Sequence, residues 1–362
     1  MEGTDDENVD VEEEMCKCEH SDEEVSSSTT SLVFLNPNLR VGFHVHKSST
    51  YERTFERLLD SPLRAYQILC CARAYKPPGL DVIDIMRARQ VLEENGKYLC
   101  IHGNLIYNLC GSVQYKADPQ FERKLDGTVT GLTGELDLGV GLGAGVVVHI
   151  GACVKRAEGL AMIAKTINHV LTVNTEYAKK VAKAMGISVV EVKKRRKVIL
   201  ENAAGEGNKL GSTLEDIAEI FSQLDKTLVS QGQVKVCIDT AHIFGAGQYD
   251  FGLPDEVDRF YKSFDKLIGL DKLEVIHLND SRVEFNSRKD RHENLCLGYI
   301  WGDREDGLDG SIGLTKFLEE AVKRKIVLIG EPPAKTADGE PGPGGIHDYE
   351  VIKRLVAAEH IC

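Results

Sequence analysis

The sequence contains no run of about 18 consecutive apolar residues, so no membrane-spanning helix is expected. Its N-terminus is acidic, not basic and then apolar, so no secretory leader is expected either. No Gly-x-Gly-x-x-Gly turn opens a first helix, which argues against a dinucleotide-binding sheet. Gly139-Val140-Gly141-Leu142-Gly143 is glycine-rich but precedes a strand-like run, and reads as a flexible insertion. Ten cysteines scattered over 362 residues lack the density of a disulfide-stapled secreted domain, so an intracellular, reduced protein of cytoplasm or nucleus is expected. The rest is ordinary globular composition, 42% hydrophobic and 28% charged, with ample material for a core. The length fits two domains or one α/β barrel with insertions.

The formal net charge of −13 argues at first sight against a polyanionic partner. Residues 1–24 carry −11 of it, which leaves the body near neutral at −2. Residues 1–37 are acidic, Ser/Thr-rich and poor in large apolar groups, and a disordered tail is expected there. Cys16, Cys18 and His20 lie in it, but three stray donors fall short of a structural zinc site.

From residue 38 to 362 short β-branched runs alternate with longer stretches of helical pattern. The runs are Val41–Val45, Tyr66–Cys71, Tyr98–Ile101, Val146–Ile150, Val198–Leu200, Val234–Ile238, Leu273–Leu278 and Ile326–Ile329. Eight such units with helices between them predict parallel strands joined by right-handed crossovers, closed as a (β/α)8 TIM barrel. An open doubly wound sheet is the alternative.

Chemistry-bearing residues end these runs: His102, His149, Glu201, Asp239, His277 and Glu331. In a parallel barrel all C-terminal strand ends open on one face, where active sites lie. His242 follows Asp239 by three positions, and Asp290 and His292 flank Arg291 after the seventh run. A single buried His or carboxylate is more often a hydrogen-bonded core residue, but so many at corresponding ends would be badly desolvated without cations. Five imidazoles, four carboxylates and no thiolate favour Zn2+, with Mn2+ or iron as substitutes. Nine ligands account for three ions, particularly if Glu201 bridges; three divalent ions would bring the body to about +4. Clustered metals without a phosphate-binding loop point to phosphate-ester hydrolysis. Arg291 and Arg282 are candidate phosphate contacts, with surface salt bridges as the plainer reading.

At these residues the sequence resembles the endonuclease IV family of zinc-dependent apurinic/apyrimidinic (AP) endonucleases. The likeness runs from about Arg40 to the last helix and rests on Glu201-Asn202-Ala203-Ala204-Gly205-Glu206-Gly207, Cys237-Ile238-Asp239-Thr240-Ala241-His242, His277-Leu278-Asn279-Asp280-Ser281, Ser287-Arg288-Lys289-Asp290-Arg291-His292 and Gly330-Glu331-Pro332. The resemblance implies one zinc on His102, His149 and Glu201, a second on Glu201, Asp239, His277 and Glu331, and a third on His242, Asp290 and His292. It also implies cleavage of duplex DNA 5′ to an abasic site, leaving a 3′-hydroxyl, with trimming of blocked 3′ ends. Glu201, Glu331 and Arg291 are the catalytic candidates, and a monomer is expected.

The sequence departs from the family pattern in places. His-Pro-Gly at the fourth strand reads His149-Ile150-Gly151. The family's DNA-contacting aromatic falls on Leu105, with Tyr107 as a substitute two residues on. Arg73, Tyr75 and Lys76 in the loop after the second strand are candidates to wedge into a kinked minor groove, or to form a capped surface loop. Residues 121–144 show no usable periodicity, and residues 172–197 extend the fourth helix, read as Ala157–Met185, into the basic run Lys193-Lys194-Arg195-Arg196-Lys197. That run reads as a solvated patch, with nuclear import or distant DNA contact as alternatives. Cys100 and Cys237 are expected as small core residues, and His44 as a hydrogen-bonding neighbour of the cavity. A metal-dependent sugar isomerase or epimerase of the same barrel type, and a DNA-binding protein with structural metals, are the competing functions.

Overall fold

Apolar residues, Val and Ile prominent among them, fill the short strands, and those strands pair only in parallel around one closed ring. The computed structural model describes residues 38–70, 78–111, 119–302, 307, 309–335, 342 and 344–358. The barrel strands are β1 (Arg40–Val45), β2 (Ala65–Leu69), β3 (Tyr98–His102), β4 (Gly145–His149), β5 (Val198–Glu201), β6 (Val234–Asp239), β7 (Leu273–His277) and β10 (Val327–Gly330). β10 closes the ring between β7 and β1. A separate antiparallel pair, β8 (Asp280–Ser281) with β9 (His292–Glu293), lies beyond the end of β7. The expected TIM barrel is the observed fold.

Side chains alternate along each strand, and one face points into the barrel. Ala65, Cys100, Val147, Ile199, Cys237, Val275 and Ile329 form an apolar layer inside it. Burying each Val or Ile there contributes about 1.5–3 kcal/mol. Two residues further along the same strands come Gln67, His102, His149, Glu201, Asp239, His277 and Glu331. The alternation therefore delivers one polar inward residue per strand to the same open end. Below the apolar layer, Tyr98 and Lys197 both bind Glu274 Oε1 at 2.9 Å.

The outer layer comprises α1 (Tyr51–Glu56), α2 (Val82–Glu94), α3 (Pro119–Leu142), α4 (Arg156–Thr172), α5 (Glu176–Met185), α6 (Val189–Arg195), α7 (Leu214–Gln223), α8 (Lys226–Ser230), α9 (Thr240–Gly245), α10 (Pro254–Leu267), α11 (Gly310–Arg324) and α12 (Gly344–Ala358). Thr50, Asp81, Thr175, Ser188, Thr213, Asp225 and Asp309 cap helix N-termini through their side-chain oxygens. The apolar stripes of these helices pack on the outer faces of the strands.

Three sequence expectations change here. The stretch 121–144 is helical as far as residue 142: α3 covers it, and Gly139–Leu142 is its buried last turn, not a flexible insertion. Its periodicity is hidden because α3 is apolar on two sides. Leu132, Leu136 and Leu142 join the main core, while Val140 packs with Ala178, Val181 and Val192 of α5 and α6. Gly141 lets α3 lie close against α2, since a Cβ there would lie 2.7 Å from Ile85 Cγ2. Gly143, at φ +79°, turns the chain into β4.

The single helix expected over Ala157–Met185 is two. Thr175 starts α5 after a break at Val173, and Gly186, at φ +64°, ends it. The basic run is not wholly solvated either. Arg196 is 0% exposed. Its Nε donates to Asp137 Oδ1 of α3 at 2.8 Å, and Nη1 donates to the Val170 and Val173 carbonyls at the end of α4, each at 2.8 Å. Those carbonyls are orphans of a helix terminus, so the guanidinium caps α4 and ties it to α3.

Candidate metal centre

Glu201, at the end of β5, is the hub of the site. Its Oε2 lies 3.4 Å from both His102 Nε2 and His149 Nδ1. Its Oε1 lies 2.9 Å from His277 Nδ1 and 3.6 Å from His242 Nδ1. Three sets of donor atoms converge, each within 4.8 Å: His102, His149 and Glu201; Glu201, Asp239, His277 and Glu331; and Asp239, His242 and His292. Asp290 completes the third set, with Oδ2 at 3.0 Å from His242 Nε2 and Oδ1 at 3.3 Å from His292 Nε2. All nine residues singled out in the sequence therefore meet at the C-terminal mouth of the barrel. Asp239 adds a link, because it faces both the second and third sets.

Local structure aims these groups. Asp239 caps α9, accepting from the His242 amide at 2.8 Å through Oδ1, which leaves Oδ2 for the centre. His242 donates Nδ1–H to the Asn202 carbonyl at 2.9 Å, so Nε2 faces inward. His102 does the same through the Gly103 carbonyl at 2.8 Å. The β8–β9 pair brings His292 back over the barrel mouth. Behind it, the buried Asp280 carboxylate accepts the amides of Ser281, Cys296, Gly298, Ile300 and Trp301 at 2.7–3.4 Å. Asn279 Nδ2 donates to Asp239 Oδ2 at 2.7 Å, and Asn279 Oδ1 accepts the Glu331 amide at 2.8 Å. Asn279, Asp280 and Gln67 were not singled out in the sequence; Asn279-Asp280 lies inside a quoted motif, whereas nothing marks Gln67.

The charges fit divalent cations. Glu201 Oε2, His242 Nε2 and His292 Nε2 are buried, face the centre and lack a hydrogen-bond partner. Burial drives His149 down to about 4 against the pull of Glu201. Burial also opposes the charge on His102, but the adjacent Glu201 carboxylate outweighs it and lifts the ring to about 9. Asp239 and Asp290 likewise overcome burial and lift His292 to about 10. Burial acts against ionised Glu331, yet His277 and His102 hold it down at about 2. Imidazolium protons thus balance the carboxylates, and cations would displace them. Oxygen and imidazole donors without sulfur suit a borderline or hard ion.

The DNA-contact candidates are placed less uniformly. Arg291 lies at the rim, half-buried, with Nη1 donating to its neighbour's carbonyl, Asp290 O, at 2.7 Å. Arg282 is half-buried too, with Nε on Glu293 Oε2 at 3.2 Å and Nη2 on the Lys335 carbonyl at 2.8 Å. Leu105 is half-buried. Tyr107, expected to substitute for the DNA-contacting aromatic, is only 4% exposed. Its ring fills the space beside Gly131 of α3 and its hydroxyl meets the buried Glu135, so it presents no surface to a duplex. Arg73, Tyr75 and Lys76, like the tail, lie outside the described residues. Among the described residues, no helix is long and apolar enough to cross a membrane.

With this geometry in hand, comparisons with known proteins place the chain. The family profile described as xylose isomerase-like TIM barrel matches residues 53–304. An endonuclease 4 homologue of Acanthamoeba polyphaga mimivirus is 27% identical over 311 residues, covering 83% of this chain and 88% of its own length. Apurinic-apyrimidinic endonuclease 1 of Saccharomyces cerevisiae is 31% identical over 199 residues, 55% of this chain and 46% of that protein. The chain spans about half the length of several other curated relatives it matches. The crystal structure of endonuclease IV from Thermus thermophilus superposes with a TM-score of 0.62 at 23% identity, over 89% of this chain and 100% of that one, a likeness of fold. Matched over more than half its length by the barrel profile, and aligned with endonuclease 4 proteins, the chain belongs to the endonuclease IV family of xylose isomerase-like TIM barrels.

Proposed function

We propose that the protein is an AP endonuclease of base excision repair. It would hydrolyse the phosphodiester 5′ to an abasic site in duplex DNA, leave a 3′-hydroxyl and trim blocked 3′ ends. The observation that carries this reading is the convergence of nine oxygen and nitrogen ligands in three sets, with Glu201 and Asp239 shared between sets. The resident ions are three Zn2+, with Mn2+ as a substitute, and the protein acts as a monomer. The naming of relatives as endonuclease 4 and as apurinic-apyrimidinic endonuclease supports the substrate assignment.

His102, His149 and Glu201 would hold one ion, Glu201, Asp239, His277 and Glu331 a second, and His242, Asp290 and His292 a third. When bound, divalent ions polarise phosphoryl oxygens and lower the pKa of water. Glu201 joins the first two sets, so its carboxylate fixes their separation. Glu331, just past the end of β10, is partly exposed and its carboxylate is held ionised. From there it orients the attacking water and takes its proton. Arg291, at the rim beside the third set, is placed to bind a phosphate oxygen. The near-neutral body carries no field that would repel DNA once cations are in place.

The test is incubation of the metal-loaded full chain with a duplex carrying one abasic analogue, alongside a ketose isomerisation assay. A single incision 5′ to the lesion and about three zinc ions per chain are expected. Isomerisation without incision would reassign the protein to sugar chemistry, and tight lesion binding without cleavage at any pH or metal loading would make it a binding protein.

A further inference from the structure

Two inward groups at the strand ends belong to none of the three donor sets: His44 on β1 and Gln67 on β2, which are register partners. Gln67 is wholly buried, and a primary amide there is costly unless every donor and acceptor is used. All are used. Nε2 lies 2.6 Å from Glu331 Oε1 and 3.4 Å from His44 Nδ1, while Oε1 lies 2.9 Å from His277 Nε2 and 3.4 Å from Cys100 Sγ.

These contacts fix the place of one proton. An ionised carboxylate only accepts, so the amide atom facing Glu331 must be the NH2. The atom facing His277 is then the amide oxygen, which also only accepts. His277 Nε2 must therefore carry the proton. Nδ1 is then the ring atom that faces the space between Glu201, Glu331 and Asp239, at 2.9, 3.3 and 3.9 Å from their oxygens, and the one a cation can claim. Without Gln67, a neutral His277 could place its proton on Nδ1 and donate it to Glu201 Oε1, blocking the ligand atom. The same amide holds the outer oxygen of Glu331 and leaves its Oε2 for the centre.

We infer that Gln67 is a positioning residue of the metal centre, which fixes the tautomer of His277 and the orientation of Glu331 at once. The inference deepens the metal reading above and rests on it. Partners of this kind, one bond removed from the ion, typically change metal affinity by roughly 10- to 100-fold.

The two halves of the role separate in two variants of the full chain. Gln67→Met keeps the volume and removes both bonds. Gln67→Glu keeps an acceptor for His277 and sets a second carboxylate oxygen against Glu331. Each is stripped with chelator, reloaded with zinc and titrated against a chromophoric chelator. Histidine-selective 15N spectra then report the His277 ring, assigned by comparison with His277→Gln. In the zinc-loaded wild type a protonated His277 Nε2 is expected. Gln67→Met should shift that signal, because the Nε2 proton loses its amide acceptor, and bind one zinc roughly 10- to 100-fold more weakly. Gln67→Glu should keep the signal and lose the affinity. A wild-type chain that takes up no zinc overturns the metal reading and this inference with it. A wild-type chain that loads zinc, with folded variants matching it in affinity and His277 signal, overturns this inference alone. Should Gln67→Met fail to fold, unchanged zinc affinity in Gln67→Glu is the overturning result.

Discussion

His277 Nδ1 lies 2.9 Å from Glu201 Oε1, and that contact ties the second set of donors to the first. The other oxygen of Glu201 faces His102 and His149. One carboxylate therefore serves both sets, and removing its charge should disable both. Glu201→Gln is expected to lower cleavage of an abasic duplex at least 1,000-fold, on the order of 4 kcal/mol of barrier. The fold should persist, because the barrel layers beneath are unchanged. Incision rate, circular dichroism and zinc-to-chain ratio check this; a near-normal rate would remove Glu201 from the centre.

Metal uptake should depend on pH with a defined sign. His102 and His292 hold protons up to about 9 and about 10 in the metal-free cluster, held there by carboxylates against the effect of burial. A cation must displace those protons, so affinity rises with pH until it passes these values and then levels off. Between pH 6 and 8 an increase of roughly tenfold or more per pH unit is expected, one proton released per tenfold. Chelator competition across that range measures it, and a flat profile contradicts the assignment.

The buried pair of Arg196 and Asp137 should matter for stability and not for chemistry. Arg196→Met leaves a buried carboxylate unpaired and two helix-end carbonyls without their donor. The expected cost is about 3–5 kcal/mol. Pairing it with Asp137→Leu should recover the part of that loss that comes from the stranded carboxylate. Denaturant unfolding reads both, while the incision rate per folded molecule stays at the wild-type level.

Removing residues 1–37 takes away a charge of −11 and leaves the ligand set whole. Catalysis should survive, and duplex affinity should rise several-fold at low salt, with the gain fading as salt approaches physiological strength. Binding isotherms over a salt series check this; equal affinities throughout would deny the tail any electrostatic role.

What the residues disclosed followed from how visible each signal was. The eight strands were legible because apolar, β-branched runs stand out between polar helix faces. The ligands were legible because His and carboxylate are conspicuous at the end of an apolar run. α3 was not, because a helix buried between barrel and outer helices shows no single apolar stripe. Arg196 was not, because one buried guanidinium in a basic run looks like its exposed neighbours Lys194 and Arg195. Gln67 was not, because a neutral amide at a strand end carries no mark of the two ligands it touches. Tyr107 misled because residue type speaks for stacking while its surroundings put it inside.

The stacking of a polar tier two positions above an apolar one makes the centre a gauge of strand alignment. A slip of one residue in any strand would turn its donor toward the helices and bring a helix-facing side chain into the lumen. Tight retention of ions should then appear only after the ring has shut in its correct frame. In a refolding chain, resistance to a chelator would time that closure.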